Sequence, residues 1–174
     1  MESDTADMSI RDDATALVDR LVASSVVTPD DTGSDLTLTN SFRSHWRQRI
    51  THLRGRDRTE FLGLLLDTDP DALAVEKHDD TTRVTVTSGS ATIGAWPSDA
   101  ALIADVAAFI TLGEHVPGWN DLSGVERDEL TARLRVFLEA CPICDGSVQV
   151  TVQSVDGSGR PTVTCEACES ILLE

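Results

Sequence analysis

The chain has 174 residues, 40% hydrophobic and 25% charged, a composition that excludes wholesale disorder and accommodates one compact domain or two to three small ones. Three Trp, four Phe and no Tyr leave little aromatic surface for stacking on bases or sugars. Thirty acids against 14 Lys and Arg give a net charge of −16; in a chain this acidic, a nucleic-acid role needs a local basic patch.

The opening MESDTADMSI is acidic and has no apolar core after it, so no secretory leader is expected. Ser9 with Asp12 starts a first helix over Ile10 to Ser24, with Ile10, Ala14, Leu17, Val18, Leu21 and Val22 at helical spacing. A hairpin from Ser25 to Thr39 turns at Pro-Asp-Asp-Thr-Gly. Asn40 or Ser41 then caps a second helix whose Phe42, Trp46, Ile50 and Leu53 share a face. A third helical stretch, Arg58 to Leu66, carries Phe61, Leu62, Leu65 and Leu66.

The segment DTDPD reads as a boundary or as the start of a short helix at Pro70. A second hairpin follows from Thr82 to Trp96, turning at SGS. Pro97 and Ser98 start a helix to Leu112 with Leu102, Ile103, Val106, Phe109 and Ile110 inward, and GEHVPGWND reads as a loop. The apolar run from Ala100 to Gly113 carries Asp105 and is too short to span a bilayer, so a soluble, cytoplasmic protein is expected. Ser123 with Glu126 forms a capping box for a last helix, whose Leu130, Leu134, Phe137 and Leu138 lead directly to Cys141.

All four cysteines lie beyond that helix, as C-x2-C-x20-C-x2-C at Cys141, Cys144, Cys165 and Cys168. Each C-x-x-C turn can aim two thiolates at one point, and two such turns supply the tetrahedral sulfur set of a structural Zn²⁺. Two disulfides, an iron site or a redox role are the alternatives, disfavoured by a reducing compartment and by the lack of neighbouring aromatics. Pro142 fixes its own φ, and Gly146 is expected to take the turn that leaves the first hook. Between the hooks, SVQVTVQSV alternates Val148, Val150, Val152 and Val155 with polar residues, DGSG turns, and RPTVT returns. The segment from Cys141 to Leu172 resembles a zinc ribbon, with each pair of cysteines as one knuckle. It departs from the pattern after the second pair, where CEACES has no glycine and Glu169 or Ser170 must accept the strained turn.

Phe42 to Arg58 holds six of the fourteen basic residues with one acid, while the other 157 residues sum to −21. Arg43, Arg47, Arg49 and Arg54 are therefore candidate phosphate contacts on a winged-helix-like unit; pairing with acids of the same chain is the competing reading. No H-E-x-x-H, P-loop, dinucleotide-binding fingerprint or G-x-S-x-G elbow occurs, and His45, His52, His78 and His115 show no metal spacing. A non-catalytic protein is expected, with no small-molecule substrate and no membrane.

The fold class expected is α+β. An N-terminal winged-helix-like module covers 1–67, a middle β-hairpin and helix module 68–122, and a helix leading into a zinc ribbon (141–172) fills 123–174. Asp outnumbers Glu by 20 to 10 and Arg outnumbers Lys by 13 to 1. That composition resembles cytosolic proteins of salt-in halophiles. The whole arrangement resembles an uncharacterised haloarchaeal zinc-ribbon family of unknown function, which implies Zn²⁺ and an archaeal cytoplasm and no activity. Two functions follow as expectations: an adaptor that docks a protein partner, or a DNA-binding regulator using the Arg-rich helix.

Overall fold

The computed structural model describes residues 15–33, 35–78, 83–153 and 160–173. The expected start of the first helix at Ser9 to Ala14, Thr82 of the second hairpin and the DGSG turn lie outside the described residues.

Helix α1 is seen over 15–23, and its Leu17 and Leu21 are buried. Strands β1 (Val27–Pro29) and β2 (Leu36–Leu38) pair antiparallel as the expected hairpin. Helix α2 (Asn40–Leu53) buries Phe42, Trp46, Ile50 and Leu53, the predicted face. Its cap is Thr39, not Asn40 or Ser41: the Thr39 hydroxyl accepts from the Phe42 N–H at 3.3 Å and donates to the Ser25 carbonyl at 2.6 Å. One side chain thus ends the hairpin and starts the helix. Helix α3 (Thr59–Leu65) follows, and Asp69 caps a 3-10 turn at Pro70–Ala72.

The middle hairpin is part of a three-stranded antiparallel sheet, β3 (Leu73–Lys77), β4 (Val84–Ser88) and β5 (Ala91–Trp96). Strand β3 is absent from the sequence reading, because LAVEK exposes four of its five residues and so carries no core-facing alternation.

Helix α4 (Asp99–His115) is capped by Ser98 and runs three residues past the expected Leu112. Gly113 stays helical and lets the Trp119 ring close over it, where an added Cβ would sit 3.3 Å from the Trp119 Cδ1. The helix ends at Val116, the residue before Pro117, where the α conformation is disfavoured. Every residue from Ala100 to Ala108 is buried, so α4 is enclosed on all sides, as a helix apolar all round must be.

Helix α5 (Gly124–Arg133) carries the predicted Ser123–Glu126 capping box. It does not run directly into Cys141: the helix tightens to a 3-10 turn at Leu134–Phe137, and the chain then extends to Ala140. Strands β6 (Val148–Gln153), β7 (Arg160–Cys165) and β8 (Ile171–Leu173) form the third sheet. Strand β8 was not anticipated; it brings Leu172, fully buried, into the core that surrounds α4. The fold is thus mixed α+β, with five α-helices and three small sheets among the described residues.

Candidate metal centre

Two short loops, closed by the same backbone bonds, carry the cysteines. In the first, the Cys141 N–H donates to the Gly146 carbonyl at 2.9 Å and the Asp145 N–H to the Cys141 carbonyl at 3.0 Å. In the second, Cys165 N–H donates to the Ser170 carbonyl at 3.0 Å and Glu169 N–H to the Cys165 carbonyl at 3.1 Å. The fifth residue of each loop is left-handed, Asp145 at φ 60° and Glu169 at φ 62°. Glu169 therefore takes the strained position, as one of the two expected candidates. At the first loop the expectation needs correcting, since Asp145 and not Gly146 makes the turn. Gly146 is required for space: an added Cβ would lie 2.6 Å from the Ala167 Cβ, 3.0 Å from the Cys165 Sγ and 3.1 Å from the Cys144 Sγ.

The loops face each other, joined by the Glu166 N–H donating to the Ser147 carbonyl at 2.9 Å. All four Sγ atoms lie within 4.8 Å of one another, the geometry of a metal site. Cys141 and Cys168 sulfurs are 3.6 Å apart, and those of Cys144 and Cys165 are 3.5 Å apart. A disulfide needs about 2.05 Å, and all four cysteines are free. A tetrahedral ion held at about 2.3 Å from each sulfur asks for sulfur separations of roughly 3.8 Å, close to what is present. Backbone N–H groups of Gly146, Ala167 and Cys168 point at Cys144 and Cys165 sulfurs at 3.4 to 3.5 Å, the donors that support metal-bound thiolates.

Cys141 and Cys165 are buried, Cys144 and Cys168 exposed. Burial pushes the Cys141 thiol up to about 12. At Cys168 burial pulls upward too, but the Ser170 hydroxyl and N–H and the neighbouring thiols outweigh it and bring the group down to about 6. Four sulfurs within 4.8 Å of one another fit a four-coordinate ion that prefers sulfur.

The four candidate arginines do not form one free basic patch. Arg43 Nε lies 3.4 Å from a Glu139 carboxylate oxygen, and Arg49 pairs with Glu114 of α4. Arg54 grips the first cysteine loop. Its Nη1 and Nη2 donate to the two Asp145 carboxylate oxygens at 2.9 and 2.5 Å, its Nε to the Pro142 carbonyl at 2.5 Å, and its Nη2 to the Cys141 carbonyl at 3.3 Å. The hydrogen bond with Arg54 holds the Asp145 carboxyl below its ordinary range. Only Arg47 is exposed, with no ion pair among the described residues. It lines an open groove along α2 with Asn40, Arg43, Ser44, Gln48 and His52.

His45 and His115, which show no metal spacing in the sequence, are in contact, with Nδ1 and Nε2 2.9 Å apart. Neither this contact nor the grip of Arg54 on Asp145 leaves a local signal, because 70 and 91 residues separate the partners.

Fold and site define an α+β protein that carries, after its helical core, a four-cysteine cluster with the geometry to bind a metal ion. The chain belongs to a family of unknown function (DUF8054), whose central-domain model matches residues 16–136. The match ends before Cys141, so the cluster lies beyond the matched segment. Comparison with curated proteins and with solved structures gives no match. Among the described residues, no helix is long and apolar enough to cross a membrane.

Proposed function

We propose that the protein is a non-catalytic adaptor whose C-terminal segment is a zinc ribbon, with one structural Zn²⁺ on Cys141, Cys144, Cys165 and Cys168. The observation that carries this reading is the convergence of four sulfurs within 4.8 Å. Four thiolates fill the coordination sphere of Zn²⁺, which leaves no position for water or substrate and assigns the ion to folding rather than catalysis. A protein partner is supported by the first strand of the ribbon. Among the described residues strand β6 is an edge strand, and its Val150 and Val152 are 49% and 63% exposed; an uncharged, exposed edge is a surface that another chain can cover. The acidic composition supports a salt-rich archaeal cytoplasm as its setting.

Elemental analysis of the purified protein tests the reading. One zinc per chain is expected; iron, or no metal with four reactive thiols under reducing conditions, overturns it.

DNA binding by a winged-helix-like N-terminal unit is the second reading, supported by the exposed Arg47 and the groove beside it. Pairing of Arg43, Arg49 and Arg54 with acids of the same chain weighs against it. So does salt, since an affinity built on a few phosphate contacts falls by orders of magnitude as salt rises. Fluorescence anisotropy with duplex DNA across a KCl series decides between them, using wild type and Arg43→Glu/Arg47→Glu. No binding is expected; binding that survives high salt and is lost in the variant makes the protein a DNA-binding regulator.

A further inference from the structure

We propose that Arg54 is the positioning residue of the metal site: it holds the loop from Cys141 to Asp145 in its metal-ready shape and ties that loop to helix α2. The inference rests on the metal-site reading above.

The two cysteine loops are framed differently. The second lies between paired strands β7 and β8. Strand β8 is fixed in turn by buried Leu172 and by the Ser98 hydroxyl, which donates to the Ile171 carbonyl at 2.5 Å. The first loop is framed by a strand on one side only: it leaves into β6, which pairs with β7 from Val148 onward. It is entered from an extended segment, and a single bridge, Ala140 with Ser147, spans its base. Arg54 supplies the missing support. At the C-terminal end of α2, its planar guanidinium reaches the carbonyls of Cys141 and Pro142 and both oxygens of Asp145. These groups span the loop from its first cysteine to its left-handed turn.

The same geometry explains why residue 145 is an aspartate although its φ is +60°. Glycine would relieve the backbone there, but only a carboxylate can receive the arginine fork. Charge works in the same direction. A divalent ion on four thiolates leaves two net negative charges, and Arg54 brings a fixed positive charge to the backbone of the loop that carries Cys141 and Cys144. Among the described residues, Glu166 and Glu169 of the second loop form no ion pair, so this support belongs to the first loop alone.

The test measures Zn²⁺ affinity of the full chain by competition with a chromogenic chelator, for wild type, Arg54→Ala, Arg54→Lys and Arg49→Ala. Arg49→Ala breaks a comparable ion pair of α2 away from the cysteines and serves as the stability control. Loss of an outer-shell partner costs roughly 10- to 100-fold in metal affinity, so Arg54→Ala is expected to fall in that range. Arg54→Lys is expected to lose nearly as much, because an ammonium cannot span the same acceptors. Arg49→Ala is expected to match wild type.

Equal affinities for wild type and Arg54→Ala, or an equal loss in Arg49→Ala, overturn the proposal. A wild type that fails to bind Zn²⁺ overturns the metal reading instead, and amide exchange of the metal-free proteins then decides the role of Arg54. Protection of the Asp145 N–H in wild type, lost in Arg54→Ala while Glu169 is unaffected, supports it. Equal exchange at Asp145 in both proteins overturns it.

Discussion

Gly146 sits between the two cysteine loops, and a methyl group there would press on Ala167 and on the Cys165 and Cys144 sulfurs. Gly146→Ala is expected to destabilise the metal-loaded protein by about 1–3 kcal/mol, the usual cost of overpacking, as read by denaturant unfolding. Asp105 is the second residue whose chemistry is set by packing. It is 6% exposed, accepts from the Trp96 indole N–H at 2.8 Å and lies 3.0 Å from Arg135 Nε. That last contact is too poorly aligned for a hydrogen bond, which leaves both atoms without one. Burial pushes the Asp105 carboxyl up to about 6, offset only in part by Arg135 and Trp96. An acid whose pKa is raised by folding adds most stability while protonated in both states, and that contribution is lost as pH climbs through the folded pKa. The stability of wild type relative to Asp105→Asn is therefore expected to fall between about pH 4 and pH 7, by at most ~3 kcal/mol. Denaturant unfolding of both proteins across this range checks it; a flat difference would place the Asp105 pKa near its unfolded value.

At the scale of the element, the two cysteine loops share backbone bonds and a left-handed fifth residue but differ in what that residue does. Glu169 has no ion pair among the described residues, so its conformation carries a cost with no return from the side chain. Glu169→Gly is expected to raise the stability of the loaded protein by about 1 kcal/mol, the penalty of a left-handed L-residue. Asp145→Gly removes the same strain but also the partner of Arg54, and is expected to lower both melting temperature and metal affinity. Parallel thermal melts of the two variants separate the cases: a rise in both would leave the Arg54–Asp145 contact without weight.

At the scale of the molecule, α4 is the element on which the others close. Trp46 of α2 donates to the Ala104 carbonyl at 3.0 Å, and β8 places Leu172 in the same core. Strand β8 begins directly after the second cysteine loop, so the cysteine cluster and the core packing are joined through only a few residues. If the cluster holds a metal as proposed, Cys144→Ser is expected to abolish tight metal binding and to remove amide protection from the described residues beyond Cys141, because so small a segment would depend on its ion. Helices α2 and α4 are expected to keep their protection but to melt at a lower temperature, since β8 no longer packs against α4. Amide exchange on the variant checks this; global loss of protection would make the chain one cooperative unit.

The sequence by itself determined the elements whose cause is local. The buried face of α2 follows from period, the start of α5 from the Ser123–Glu126 box, and the sulfur cluster from two C-x-x-C turns, whose spacing alone limits where the thiolates can point. Even a strained turn at Glu169 or Ser170 was legible, because a turn of that kind lacks its glycine; the structure puts it at Glu169. Tertiary structure decided what depends on distant partners. Strand β3 forms by pairing with β4 and not by its own pattern, and β8 is a strand because β7 and the core receive it. Gly146 is small because Ala167 and two sulfurs crowd it. Arg54 looks like one of several phosphate-seeking arginines until the fold sets Asp145 beside it. A side chain's charge is written in the sequence; which group compensates it is settled by three-dimensional proximity, and no helical or strand period encodes a contact across 91 residues.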